Sequence, residues 1–424
     1  MLVSLGSREA IYAIAAVSTL GVVVRPWHWP EAIWAAAGAV LLVLLGLLPW
    51  REAVVAVGKG TDVYMFLVGM MLLSEMARRE GLFDYFAALC VQHARGSAPR
   101  LFLLVYAVGT VVTVFMSNDA TAVVLTPAVL AVSKKAKATA LPYLLSCAFI
   151  ANAASFVLPI SNPANLVVFG EKLPSLVQWI GRFILPSVLA IVATYAVLRF
   201  FSRRELREAV ATAINVPELS GAGRLAGFGI AASALALLVA SAFGIPLGLP
   251  TLIAAALALA AILVRKREGP GAVLKEVSWS ILVLVSGLFV LVEGLQRAGA
   301  LDVLTRLLNE RATASMEGAA FVSGAIVAVA CNLLNNLPAG LIAGLVVTDA
   351  QVTPMIQSAV AIGVDLGPNL SVTGSLATIL WLLAIRREGE NVTGWQFFRV
   401  GAVAMPLALA VAFLGLWLEA LASH

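Results

Sequence analysis

The stretch VFMSNDATAVVLTP (residues 114–127) places an acid, an amide and several hydroxyls inside an apolar run. Residues 101–133 are apolar apart from it. As one straight helix they would be about 50 Å long at about 1.5 Å per residue. That is too long for a single span of about 30 Å and too short for two spans with a turn. A re-entrant hairpin fits the length, with Ser117, Asn118 and Asp119 at its tip. Residues 316–347 have the same character and are interrupted by NLLNNLPAG, which predicts a second hairpin with Asn335 and Asn336 at its tip. Segments 139–170 and 354–385 are also overlong and carry LPISNPANL and VDLGPNLSVTGSLAT. They read as crossing helices broken near the middle, because unwound backbone at membrane depth is tolerated only where protein or a cavity surrounds it.

The surrounding composition agrees with this reading. The 424 residues are 61% hydrophobic and 12% charged, against about 45–50% and about 25% in a soluble domain. The fold class is therefore all-α and polytopic. Single spans are expected near 9–24, 30–49, 62–79, 176–201, 225–244, 247–264, 277–296 and 397–420. The first is read as a retained helix, with Arg8 and Glu9 before it and no small-residue cleavage pattern after it. The net charge of +5 calls for no nucleic-acid partner. If each hairpin returns to its own side and each broken helix crosses once, twenty of the 28 basic residues fall on one side. The positive-inside rule then makes that side cytoplasmic and places both termini outside the cytoplasm.

An internal repeat organises the chain. Gly69, Glu75, Arg79, Gly81 and Asp84 recur as Gly287, Glu293, Arg297, Gly299 and Asp302, all at an offset of 218. Asn118-Asp119 lies over Asn335-Asn336 at 217, and SNPAN (161–165) over TGSLA (373–377) at 212. The expected domains are a first repeat at 1–201, a cytoplasmic linker at 202–224 and a second repeat at 225–424. With five crossings and one hairpin each, the two repeats are inverted in the membrane, a secondary-transporter architecture.

Pairing the repeats brings two tips and two breaks together. The candidate substrate-binding residues are Ser117, Asn118, Asn162, Asn165, Asn335, Asn336, Asn369, Thr373 and Ser375, with Ser371 beside them. Amides both donate and accept hydrogen bonds, so the set suits a small, neutral, hydroxylated solute. Intramembrane acids are costly and commonly functional, which makes Asp119 and Asp365 candidate proton carriers. Glu75 and Glu293 are weaker candidates. Each lies one turn from an arginine (Arg79, Arg297) and reads first as half of a structural ion pair. Asp62 and Asp349 read as loop or helix-end residues. The histidines (His28, His93, His424) lie near segment ends, which excludes a histidine metal centre or proton relay. Cys90, Cys147 and Cys331 are too scattered for a disulfide framework, and they read as small buried hydrophobes, not a thiolate metalloid site. No cofactor is expected. HExxH, GxSxG and Cys/His clusters are absent from the sequence, which disfavours an enzyme.

SNDATAVVLTP (117–127), FIANAASFVLPISNPANLVVF (149–169), NNLPAGLIAG (335–344), GVDLGPNLSVTGSLATILWL (363–382) and GWQFFRVG (394–401) closely resemble the arsenite and antimonite efflux permeases of the ArsB type, within the ion transporter superfamily. The resemblance runs over essentially the whole chain. It implies a scaffold part and a transport part. It also implies export of trivalent arsenic and antimony hydroxides across the cytoplasmic (inner) membrane, driven by inward proton flow, with an optional soluble arsenite-stimulated ATPase partner. In dicarboxylate-transporting relatives of that superfamily, SNT tips bind carboxylates and sodium. Asp119 stands at the third tip position here, where it would repel a dianion and suit a proton. The competing readings are a sodium/proton antiporter and an organic-anion transporter on the same scaffold.

Overall fold

The computed structural model describes residues 5–211 and 216–422, so His424 and part of the expected linker lie outside the described residues. Among the described residues twenty-one α-helices follow one another, and β-structure is limited to one isolated bridge between Ser97 and Ala209. The first half comprises α1 (Leu5–Val24), α2 (Glu31–Leu44), α3 (Trp50–Lys59), α4 (Thr61–Arg79), α5 (Leu82–Ala94), α6 (Ala98–Phe115), α7 (Asn118–Ala120), α8 (Thr126–Lys135), α9 (Leu141–Ala153), α10 (Pro163–Phe169) and α11 (Leu176–Phe201). The second half comprises α12 (Gly221–Ala242), α13 (Gly248–Lys266), α14 (Gly271–Glu276), α15 (Ser280–Arg297), α16 (Ala300–Ala314), α17 (Met316–Leu334), α18 (Asn336–Asp349), α19 (Pro354–Leu366), α20 (Leu376–Arg387) and α21 (Gly394–Ala422). Among the described residues, eight helices are long and apolar enough to cross a bilayer.

One expected span is shorter than the sequence suggested. The run at 30–49 is helical only to Leu44, about 21 Å at about 1.5 Å per residue. After Pro49 the chain forms α3, which buries Ala53 and Ala56 and exposes Val54 and Val55. It meets α4 at a bend of 49°. The segment beyond residue 201 is not a free tether either. Val210 N–H donates to Gly96 O (3.2 Å) and Ala211 N–H to Ala136 O (2.9 Å), which fastens it to both feet of the first hairpin.

The halves interlock through glycine. α4 packs on α13, and α15 packs on α2. A Cβ on Gly69 would fall 2.8 Å from Thr251 O, and one on the matching Gly287 would fall 2.8 Å from Ala35 O. Each helix therefore approaches the other half's backbone at the same repeat position. A second close seam joins α17 to α19 along Gly324, Ala328, Gly363 and Gly367, the small-residue spacing that lets membrane helices meet backbone to backbone. A Cβ on Gly363 would stand 2.2 Å from Gly324 O.

That geometry makes Gly363→Leu a test of the seam. Overpacking at a rigid backbone contact costs about 1–3 kcal/mol or more, so thermal unfolding in detergent should shift clearly downward. Gly181→Ala, whose added methyl meets nothing within 4 Å, should leave the melting temperature unchanged.

Candidate functional site

The chain reverses at Ser117. Thr121 Oγ lies 2.8 Å from Thr113 Oγ and 3.4 Å from Gly109 O, which a straight helix would hold about 18 Å apart at about 1.5 Å per residue. Ser117 caps the returning arm by accepting from Ala120 N–H (3.3 Å), and Asn118 Oδ1 accepts from Asp119 N–H (2.9 Å). Residues Thr121–Leu125 then form a turn of π-helix. Pro127 follows it and cannot donate a backbone bond, while Thr126 Oγ donates to Thr121 O (2.9 Å). At the second reversal, Asn335 has φ of 73° and accepts from Leu337 N–H (3.3 Å). A left-handed φ is one that asparagine tolerates better than most residues.

These caps revise the register of the repeat. Cap matches cap at an offset of 218 in the hairpins, so Ser117 pairs with Asn335, Asn118 with Asn336, and Asp119 with Leu337. In the breaks, Asn162 caps α10 and Ser375 caps α20, an offset of 213. The 217 and 212 alignments are each displaced by one residue, because sequence identity fell on neighbouring amides and serines. In the corrected register Asp365 is the counterpart of Asn152.

The two breaks bond to each other across that register. Asn162 Nδ2 donates to Asp365 Oδ1, and Ser375 Oγ donates to Asn152 Oδ1 (3.3 Å). Each α10 or α20 cap therefore reaches the residue near the end of the opposite broken helix. Asn152 Nδ2 also donates to Asn369 Oδ1 (3.0 Å), and Asn369 Nδ2 to Phe149 O (3.1 Å). Ser155 Oγ lies 2.7 Å from both Asp365 Oδ1 and Asn152 O. Asp365 is buried, and its Oδ2 has no protein partner. The reciprocal contacts differ in charge type: one carries a carboxyl, the other only an amide and a hydroxyl.

Each tip leans on the break of its own half. Ser161 Oγ donates to Val114 O (3.0 Å). Asn332 Oδ1 accepts from Ser371 Oγ (2.7 Å), Asn332 Nδ2 donates to Gly367 O (2.9 Å), and Asn335 Nδ2 donates to Thr373 O (3.5 Å). Each tip also meets the break helix of the opposite half: α20 packs on α7 and on the π-helical turn of the first tip, and α10 packs on α18.

The candidate residues then divide by what their polar groups do. Asn165 Nδ2 serves the freed carbonyls of Ser155, Leu158 and Pro159 (2.9, 3.4 and 3.4 Å). Asn369, Thr373 and Ser375 are likewise engaged within the breaks. Open hydrogen-bonding capacity remains at Asp365 Oδ2 and Asn336 Oδ1, both buried without a partner. Asn152, Ser155 and Asn332 were not singled out in the sequence. Asn152 and Ser155 sit on or beside the end of an apolar helix, ahead of the stretch read as the break, and Asn332 opens NLLNNLPAG one turn before the tip; a polar residue one turn before each reversal or break was the available signal.

Asp119 stands apart from Asp365. It lines a cleft between the first tip, α4, the start of α15 and α20, with Ser74, Glu75, Glu276 and Ser278 on the walls. The expected ion pairs are corrected. Glu75 binds Arg78 through two bonds (2.6 and 2.7 Å), and Glu293 binds Lys59 (2.6 Å). Arg297 binds Glu52 (2.5 Å), and Arg79 lies 3.9 Å from Glu268. Both arginines face the neighbouring segments at the helix ends instead of their own helix one turn back. Asp62 has a definite task, accepting from Gly248 N–H (2.7 Å) at the start of α13. All three cysteines are buried and free, and no group of three metal-ligating side chains occurs among the described residues.

The family model for the citrate transporter matches residues 19–386. The chain belongs to the citrate transporter family. An arsenical pump membrane protein of Escherichia coli is 28% identical over 404 residues, covering 92% of this chain and 94% of that protein. One from Yersinia enterocolitica is 28% identical over 356 residues, covering 79% and 81%. Among solved structures, the Alcanivorax borkumensis YdaH transporter aligns with a TM-score of 0.56 at 16% identity, covering 87% of this chain and 88% of its own. That likeness concerns the fold. The ArsB-type resemblance read from the motifs is borne out, and the protein is a multi-pass membrane transporter.

The reciprocal caps yield a measurable asymmetry. Both substitutions remove a helix cap, but Asn162→Ala also strips a donor from a buried carboxyl, a further loss of about 1.5–3 kcal/mol, whereas Ser375→Ala strips a neutral hydroxyl from Asn152, a further loss of about 0.5–1.5 kcal/mol. Denaturant unfolding in detergent should rank them in that order.

Proposed function

We propose that this protein exports trivalent arsenic and antimony from the cytoplasm as uncharged trihydroxides, in exchange for protons moving inward across the inner membrane. The observation that carries the reading is Asp365, a buried carboxyl joined to both breaks with one oxygen left open. A hydroxyl owns one proton. Ser155 can give it to Asn152 O or to an ionised Asp365, but not to both. When Asp365 carries a proton, it can supply the second bond itself. Loading the acid thus changes what the end of α9 is bonded to, which links proton occupancy to the shape of the first break. The amides at the tips, Asn118 and Asn336, are the partners for the hydroxyls of a neutral substrate, with Ser117 and Asn335 holding the turns. Asp119, in the open cleft, passes protons or orients the incoming solute.

Alternating access by two inverted repeats is part of this proposal. It is supported by the reciprocal packing at Gly69 and Gly287 and by the reciprocal caps at Asn162 and Ser375. Glu75 and Glu293, each held by a cation, serve as struts more than as carriers. A soluble ATPase could dock on the side rich in basic residues without altering the membrane chemistry. The family model's description favours a second reading, an organic anion as substrate. Against it, the cleft at the first tip is lined by three carboxylates and by no lysine or arginine.

The test is uptake of arsenite into everted vesicles under an imposed pH gradient, with sodium and citrate gradients as parallel arms. Wild type should accumulate arsenite with the proton gradient alone. Asp365→Asn should fall to the level of vesicles lacking the protein. A variant with Cys90, Cys147 and Cys331 all changed to alanine should keep most of its activity. Accumulation driven only by sodium, or loss in the cysteine-free variant, would overturn the proposal.

A further inference from the structure

The end of α11 carries a feature that transport does not use. Arg199, Arg203 and Arg207 line an open concavity together with Tyr195, Phe200 and Pro99. Three cations of one sign meet there, and none of them takes part in an ion pair among the described residues. They are held in place by neutral partners. Arg199 Nη1 donates to Tyr195 OH (3.2 Å), and the Arg203 guanidinium lies 4.7 Å from the centre of the Phe200 ring. Tyr195 is itself braced by Phe102 and Tyr106, with ring centres 5.5 and 5.2 Å away. The acids of the adjoining loop do not line the concavity, and Glu208 accepts from Thr139 (3.0 Å) instead.

A second feature runs into the same place. Val188, Val192, Ala196 and Phe200 follow one another at intervals of four residues along α11 and are all exposed, so they form one apolar stripe on one helix face. The stripe ends at the arginines. A cup of unpaired cations at the end of a membrane span, continued by an apolar track down the span, matches an amphiphile with an anionic head and an acyl tail. Guanidinium groups are suited to phosphate oxygens by their planar fork of donors.

We infer that this concavity binds the phosphate headgroup of an anionic phospholipid, with an acyl chain lying along Val188, Val192, Ala196 and Phe200. The site begins the segment that is fastened to the feet of the first hairpin through Gly96 and Ala136. A bound lipid therefore steadies the base of the hairpin that carries Asp119.

Native mass spectrometry of the purified full chain tests this, with phosphatidylglycerol titrated against phosphatidylcholine. Three basic side chains near a membrane surface each contribute enough that the preference for phosphatidylglycerol should be on the order of a hundredfold. R199Q/R203Q/R207Q should abolish the preference, while R386Q/R387Q, a charge loss at another helix end, should preserve it. Equal affinity of the wild type for the two lipids would overturn the inference, and this arm needs no variant to fold. Retention of the preference in the triple variant, or its loss in R386Q/R387Q, would also overturn it. Displacement of bound lipid by millimolar inorganic phosphate would reassign the site to a free anion.

Discussion

Unwound backbone has no water to bond to inside a bilayer, so every interruption must find its partners within the protein. Four interruptions in one chain make this the governing constraint on the structure. Here they satisfy one another. Asn165 collects the carbonyls released between Ser155 and Pro159, Asn332 collects those around Gly367, and the caps Asn162 and Ser375 reach across to the opposite half. The tips can be held only if the breaks are formed, and the breaks only if both halves are present. The glycine seams at Gly69, Gly287 and Gly363 bring the backbones close enough for this to happen.

The same constraint explains the uneven distribution of function among similar residues. A network whose donors and acceptors are all used is a structural joint. Asn369 and Asn165 are of that kind. Where capacity is left over, at Asp365 Oδ2 and Asn336 Oδ1, the protein keeps polar atoms that burial makes costly. Asp365 is set off from its counterpart Asn152 by the acid alone. The two breaks thus differ by one carboxyl, and the proposed exchange of a neutral solute for a proton rests on that difference.

Much of this was legible in the sequence. Composition and segment length identify an all-helical polytopic fold, and the polar residues of SNDATA coincide with the reversal at Ser117. Other features were not legible, for identifiable reasons. Helix α3 was read as a connection between two spans because Arg51, Glu52 and Lys59 leave it too short an apolar run to count as a crossing. The partner of Glu293 was misassigned because spacing along one helix cannot reveal a cation such as Lys59 on another, and that of Glu75 because Arg78 and Arg79 both lie one turn away and spacing does not choose between them. The register of the repeat slipped by one because neighbouring polar residues imitate each other in an alignment, and only the cap geometry separates Ser117 from Asn118. Asn152 and Ser155 were passed over because their partners, Asn369 and Ser375 for the one and Asp365 for the other, lie more than 200 positions away.

The central claim of the proposal is that proton occupancy of Asp365 is coupled to substrate binding through the shape of the first break. The most direct measurement is proton release when arsenite is added to the purified protein in weakly buffered detergent solution, followed with a pH indicator. The account predicts that wild type releases protons in proportion to the arsenite bound, and that Asp365→Asn binds arsenite without releasing any. Undiminished release from a folded Asp365→Asn protein would contradict it.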